Sequence, residues 1–243
     1  MGASIEELLS NKDVLATTLA SYRQLLKPIL ARDIADRASI DGHLRGITNI
    51  NTRRAASIAL RSIGYDCKIP KGIPRRYDLP DEDTLRLVLA FSKYEVQFLT
   101  MMYTGLRIGE SCYVNKTQLL PHGQLYVGLQ VAEWQQDGKW TQEIREPKSR
   151  PAAIDIPQWL AERLPDEYQG HRPYRLRAGL HYTTTKYLGR ALNAHALRHW
   201  YATTMIERGI PLPIVQRQMR HSDIAVTLRT YAQFEKTRMS LFD

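Results

Sequence analysis

Cysteine is nearly absent from this 243-residue chain: Cys67 and Cys112 stand alone, with no Cys-x-x-Cys pair. That excludes a disulfide-stapled scaffold and fits a reducing compartment. No run of apolar residues is long enough to cross a bilayer, so no membrane partner is expected. The opening MGASIEELLSNKDVLATTLA lacks a basic stretch followed by an apolar core, so no secretion signal is expected in it. MGAS fits the start of a myristoylation pattern, but Glu6 stands where that pattern needs Ser or Thr. Internal repeats and low-complexity tracts are also missing. Acidic residues are missing from one long stretch: none occurs between Glu167 and Glu207. That span instead holds Arg172, Arg175, Arg177, Lys186, Arg190 and Arg198, with Tyr174, Tyr182 and Tyr187 interleaved.

What is present points to a folded, basic chain. Apolar residues make up 43%, enough for a sizeable core. The formal net charge is +9, which favours a polyanionic partner, nucleic acid being the usual one. The acid-free span creates the local positive field that a phosphate-binding face needs.

Hydrophobic periodicity divides the chain into two parts. Residues 1–68 read as a helical module: Ile5, Leu8 and Leu9 begin one stripe, and Leu15, Leu19 and Tyr22 continue the pattern. Thr52 is a candidate cap for a helix that ends at Gly64 and carries Arg53, Arg54 and Arg61. The stretch CKIPKGIPRRYDLP, with three prolines, breaks regular structure, so residues 69–78 are expected to form a basic linker containing Arg75 and Arg76. A second domain is expected over 79–243. Its first helix opens at Asp81, Glu82 and Asp83, where a helix N-terminus favours negative charge. A second helix carries Val96, Leu99, Met102 and Tyr103 and stops at Gly105. QLYVGLQV, WTQEIRE and AAIDI then alternate as three short antiparallel strands, with a turn at Lys148, Ser149, Arg150 and Pro151. Helices resume from Trp159.

One set of residues carries chemistry. His195 and Arg198 lie one helical turn apart, His221 follows, and Tyr231 comes ten residues later; TGLRIGE supplies Arg107. A phosphodiester under attack develops charge on its non-bridging oxygens, and guanidinium groups donate two parallel hydrogen bonds to such oxygens. A tyrosine hydroxyl needs a nearby cation or base at neutral pH. A histidine can carry that proton, and a lysine on a turn can protonate the leaving oxygen. Duller readings exist for each residue. His195 and His199 have zinc-ligand spacing, but Ala196 stands where the zinc-protease motif needs Glu. Tyr201 is equal to Tyr231 by type, yet it lies in an apolar row with Ala202 and Met205 and is assigned to packing.

TGLRIGE, PKSR in a strand turn, HALRH and RHSDIAVTLRTYAQF, in this order, resemble the catalytic domain of the tyrosine recombinase (phage integrase) family. The resemblance covers about 79–243. It implies a mainly α fold with a small antiparallel β-sheet (α+β), preceded here by a short helical module in the place of a core-binding domain. It further implies a site-specific DNA recombinase or integrase that cuts and rejoins strands through a covalent 3′-phosphotyrosine link. By the resemblance Arg107 is the first catalytic arginine and Lys148 the hairpin lysine, with Lys139 as the competing lysine. His195 and Arg198 form the His-x-x-Arg pair, His221 is the second histidine, and Tyr231 is the nucleophile. Glu110 takes the acidic position beside the first arginine as a structural partner.

No cofactor is expected, because the phosphotyrosyl link retains the phosphodiester energy. The expected partners are double-stranded attachment sites of a mobile element or chromosome and three further copies of the chain, in the cytoplasm or nucleoid of a prokaryotic or viral host cell. DNA contacts are expected from Arg53, Arg54, Arg75, Arg76, Arg172, Arg175, Lys186 and Arg190. Two departures from the family pattern stand out: Ala196 replaces an Asp, and Arg220 replaces a Gly before the second histidine. Neither removes a reacting group, and Arg220 bears on the geometry of the local turn. The alternatives are a type IB topoisomerase-like enzyme, and a non-catalytic helix–turn–helix protein with Gly209 at the turn.

Overall fold

The computed structural model describes residues 4–32, 36–73, 78–136 and 138–220. Two compact units divide the chain, residues 1–76 with 134–141 and residues 77–133 with 142–243. None of the helices among the described residues is long and apolar enough to cross a membrane.

The first unit holds α1 (Ile5–Ser10), α2 (Ala16–Leu30), α3 (Arg37–Gly46) and α4 (Ile50–Ser62). Local chemistry sets their starts. Ser4 accepts from the Glu7 N–H at 3.2 Å, and the Glu7 carboxylate accepts from the Ser4 N–H at 2.7 Å, so two orphan donors are satisfied reciprocally. Asn49, not Thr52, caps α4: its side chain accepts from the N–H groups of Asn51 and Thr52. Thr52 is already inside the first turn, so its own N–H is one of the groups being capped. Leu9, Leu26, Ile29, Ile40 and Leu60 are fully buried, each worth roughly 1.5–3 kcal/mol relative to exposure. Ala56 and Ala59 of α4 are buried in the same core, and α4 packs on α2 and α3. Cys67 closes this core, its thiol donating to the Ser57 carbonyl at 3.4 Å.

The second unit is built around one helix. Its elements are α5 (Glu82–Ala90), α6 (Glu95–Thr104), α7 (Ile108–Tyr113), β1 (Gln124–Val127), β4 (Ala152–Asp155) and the parts of β2 (Gln130–Gln136) and β3 (Lys139–Arg145) outside residues 134–141. They are followed by α8 (Gln158–Ala161), α9 (Pro173–Leu188), α10 (Ala194–Glu207) and α11 (Leu212–Met219). Phe98, Leu99, Met101 and Met102 bury nearly every side of α6, as expected of a helix that other helices surround. It packs on α5, α7, α8 and α10. Asp81 caps α5, accepting from the Thr84 N–H at 2.8 Å. Asn193 caps α10, accepting from the Ala196 N–H at 3.1 Å. A smaller apolar cluster of Tyr201, Ala202, Ile206, Val215 and Met219 joins α10 to α11.

The strands differ from the sequence expectation. QLYVGLQV is two strands, not one: it breaks at Gly128 and Leu129, so β1 pairs antiparallel with β4 while β2 pairs with β3. The register of the first pair runs from Gln124 opposite Asp155 to Val127 opposite Ala152. The α+β class expected from the sequence is what the structure has: helices dominate, and the strands form two small two-stranded sheets.

Candidate active site

Gly105 fixes the start of the site. It ends α6 in the left-handed region, φ 69°, with its N–H donating to the Met101 carbonyl at 3.0 Å. A Cβ at this position would lie 2.6 Å from the Met219 sulfur and 2.7 Å from the Tyr201 ring. Only glycine meets both demands. Two residues later Arg107 occupies the N-cap of α7. The helix can come close to β2 because Gly109 offers no side chain: a Cβ there would lie 2.7 Å from the Val131 carbonyl oxygen.

Glu110, one turn into α7, is fully buried. Its carboxylate accepts from the Arg107 backbone N–H at 2.7 Å and from the Arg107 guanidinium at 3.3 Å. That guanidinium also donates to the Ser149 hydroxyl at 2.7 Å, and the hydroxyl donates back to Glu110 at 3.4 Å. Arg107 keeps about a third of its side chain exposed, so one edge of it is braced and another is open. Burial pushes the Glu110 carboxyl up; the Arg220 charge, the Arg107 N–H, and the charges of Arg107 and Arg198 outweigh it and hold the group below the ordinary carboxylate value.

Arg198 sits on the inner face of α10, 2% exposed. It donates to the Gly105 carbonyl and, at 2.5 Å, to the Met219 carbonyl. It therefore ties the end of α6 to the end of α11. Burial and then the Arg107 charge pull its guanidinium down to about 9, with Glu110 acting the other way. The group remains charged at neutral pH.

Arg220 follows α11 at φ 49° and ψ 43°, the only positive-φ residue other than glycine among the described residues. This is where the family pattern has Gly, and the turn keeps the left-handed geometry that glycine favours despite the side chain. The conformation costs an ordinary residue roughly 1–2 kcal/mol. The side chain is buried and its Nη2 pairs with Glu110 Oε2.

The other expected site residues fall as follows. Lys148 is exposed in the loop between β3 and β4, next to Ser149, so its turn is brought to Arg107. Lys139 opens β3, at the far end of that strand. His195 is exposed in the first turn of α10, its ring centroid 5.7 Å from that of His199. Burial and the Arg198 charge lower the pKa of His199. Tyr201 is buried, and burial followed by the Asp155 charge pushes its hydroxyl up to about 12, which fits packing rather than attack. His221 and Tyr231 lie outside the described residues, as do Arg75 and Arg76.

Several basic residues marked for DNA contact have protein partners. Arg53 donates to the Ile47 carbonyl at 2.6 and 3.0 Å and to the Arg45 carbonyl at 3.0 Å, and Arg54 donates to the Pro70 carbonyl at 2.8 Å. Arg172 pairs with the buried Glu133 at 2.8 Å, and Arg190 with Asp78 at 2.6 Å. Arg175 and Lys186 are exposed on α9, and the Lys186 ammonium lies over the rings of Tyr182 and Tyr187. Ser149 and the Gly105 carbonyl are the contributors that sequence reading did not single out. Ser149 carried a signal in its place between Lys148 and Arg150, and the carbonyl carried none.

The family model of the phage integrase family matches residues 81–238. Among curated proteins, the chain is 27% identical over 175 residues to tyrosine recombinase XerA of Pyrococcus furiosus, covering 66% of this chain and 58% of that protein. It is also 27% identical over 190 residues to a tyrosine recombinase XerC-like protein of Caldanaerobacter subterraneus subsp. tengcongensis, covering 62% and 49%. The chain thus spans about half the length of the curated relatives it matches. Two solved structures share the fold. The Tn1549 transposon integrase in complex with transposon right end DNA superposes with a TM-score of 0.68 at 16% identity, covering 98% of this chain and 100% of that one. A lambda integrase dimer bound to a COC′ core site gives 0.62 at 16% identity, covering 93% and 92%. The family model spans most of the chain and the fold agrees: the chain belongs to the phage integrase family.

Proposed function

We propose that the protein cuts and rejoins double-stranded DNA at specific sites through a 3′-phosphotyrosyl intermediate on Tyr231. The observation that carries this reading is the placement of two guanidinium groups at the α6–α7 junction: Arg107 bonds the buried Glu110, and Arg198 of α10 bonds the carbonyl of Gly105, two residues before Arg107. Two guanidinium groups held in place before a phosphate arrives need no reorganisation when charge develops on it. One such preorganised donor is typically worth roughly 2.7–4 kcal/mol in the transition state.

In the proposed reaction the Tyr231 oxygen forms a bond to phosphorus as its proton passes to a base, His195 and His221 being the groups assigned to proton handling. The bond from phosphorus to the 5′-oxygen breaks, and Lys148 gives that oxygen a proton. Attack by a 5′-hydroxyl on the phosphotyrosine reverses the step and seals a strand. The phosphodiester is never hydrolysed. Four copies of the chain on paired sites are the proposed assembly for exchange between two duplexes, and the DNA of a mobile element or chromosome is the proposed substrate. Relatives named as tyrosine recombinases, and the DNA-bound integrases that share the fold, support this reading.

The test is incubation of the full chain with nicked duplexes taken from the DNA flanking its own locus, followed by denaturing electrophoresis. A covalent adduct is expected with the wild type. Tyr231→Phe is expected to bind the same duplexes and to form none. An adduct that persists in Tyr231→Phe would move the nucleophile elsewhere.

A further inference from the structure

The cluster around Glu110 holds more cation than its own carboxylate neutralises. Arg107, Arg198 and Arg220 all act on this single buried acid, which leaves two positive charges in excess among the described residues. Arg220 is the least accounted for. It is 7% exposed, yet its Nε and Nη1 have no hydrogen-bond acceptor among the described residues. Among the described residues only Nη2 is engaged, by Glu110. A buried guanidinium with idle donors costs free energy that a bound acceptor recovers. The backbone is also arranged in its favour. Residue 220 takes the left-handed conformation that glycine would adopt without strain, so the side chain is held at the site against a local cost.

We propose that Arg220 is a third guanidinium of the anion site formed with Arg107 and Arg198, donating through Nε and Nη1 to a phosphate oxygen while Nη2 stays on Glu110. That the anion is the scissile phosphate rests on the proposed function; that an anion is bound does not. The parallel donors of a guanidinium suit a tetrahedral oxyanion that presents two oxygens. The excess charge of the cluster suits an anion of one or two charges.

Inorganic phosphate, titrated calorimetrically into the full chain at constant ionic strength, is the probe. The wild type is expected to bind one phosphate. Arg220→Gly, which suits the backbone conformation, is expected to weaken binding about tenfold or more. Arg220→Lys, which keeps charge and loses the fork, is expected to fall between them. A role confined to neutralising Glu110 predicts a different pattern, and the Glu110→Gln background separates the two. If Arg220 touches the anion, its loss still weakens phosphate in that background; if it serves only Glu110, the loss has no further effect there. Circular dichroism checks that each variant is folded. Should Glu110→Gln fail that check, the single variants decide by themselves, with Arg220→Lys equal to wild type counting against the fork. Equal phosphate affinity in the wild type and Arg220→Gly overturns the inference, as does a wild type that does not saturate. Adduct formation on DNA is read separately, so a failure of the phosphotyrosyl reading leaves the phosphate result standing, and the converse.

Discussion

Glu110 is the residue on which the candidate site depends, and pH exposes that dependence. Its folded carboxyl lies below the ordinary value, because the pull of Arg220 and Arg107 exceeds the cost of burial. A depressed acid contributes stability that is fully present above its unfolded pKa and is lost as pH falls through the folded value. Removing one partner of a buried ion pair costs roughly 3–5 kcal/mol, since the other charge is left unpaired. Glu110→Gln is therefore expected to lower stability by about that amount near neutral pH. In acid, below the carboxylate range, the wild type should lose its advantage and the two unfolding curves should converge. Urea titrations at a series of pH values measure this; a gap of constant size would mean that the charge of Glu110 is not what holds the cluster. Arg107 and Arg198 were singled out by residue type and order, and Glu110 by the resemblance. Ser149 was not: what matters is its 2.7 Å contact with Arg107 across the fold, and no local pattern encodes such a contact. Arg220 was visible as a departure from the pattern, but its burial against Glu110 was not.

Elements were easier to find than to connect. The first two helices of the second unit were readable from apolar spacing and from the acidic residues that begin at Asp81, because both signals are local. The break of QLYVGLQV at Gly128 was hidden, since alternation continues on both sides of it and a period of two does not say which strand is the partner. A Cβ at Gly128 would lie 2.6 Å from the Tyr126 ring, so the glycine marks a tight passage between two sheets rather than a position inside one strand. The element that most needed the structure is α11. Its Gln218 side chain accepts from the Asp155 N–H at 3.0 Å and donates to the Asp155 carboxylate, fastening the helix to β4. Hydrogen bonds to charged groups contribute roughly 1.5–3 kcal/mol. Gln218→Ala is expected to lose about that much in denaturant titration. By the proposed function it should also slow adduct formation more than it weakens DNA binding, because α11 leads through Arg220 into the segment with His221 and Tyr231. A variant with unchanged stability would show that the helix is held by its apolar face alone.

At the scale of the whole molecule, charge is spread unevenly. Residues 1–78 carry 13 Lys and Arg against 8 Asp and Glu, so this small part accounts for more than half of the net +9. Each phosphate neutralised on a duplex steepens the salt dependence by about 0.9 in log–log slope. If both units contact DNA, the full chain should bind with a steep slope, and a fragment from Leu79 onward should bind more weakly with a shallower one. Filter binding or fluorescence anisotropy across a salt series measures both, and equal slopes would place all phosphate contacts in the second unit.

The scarcity of cysteine has a practical consequence. Cys67 is buried in the core of the first unit and Cys112 in the core of the second, and burial pushes both thiols up. A thiol in that state reacts with a disulfide reagent only when its surroundings open. The chain therefore carries one native clock in each unit, and the two labelling rates, resolved by peptide mass, time the opening of each core separately in the unmodified protein.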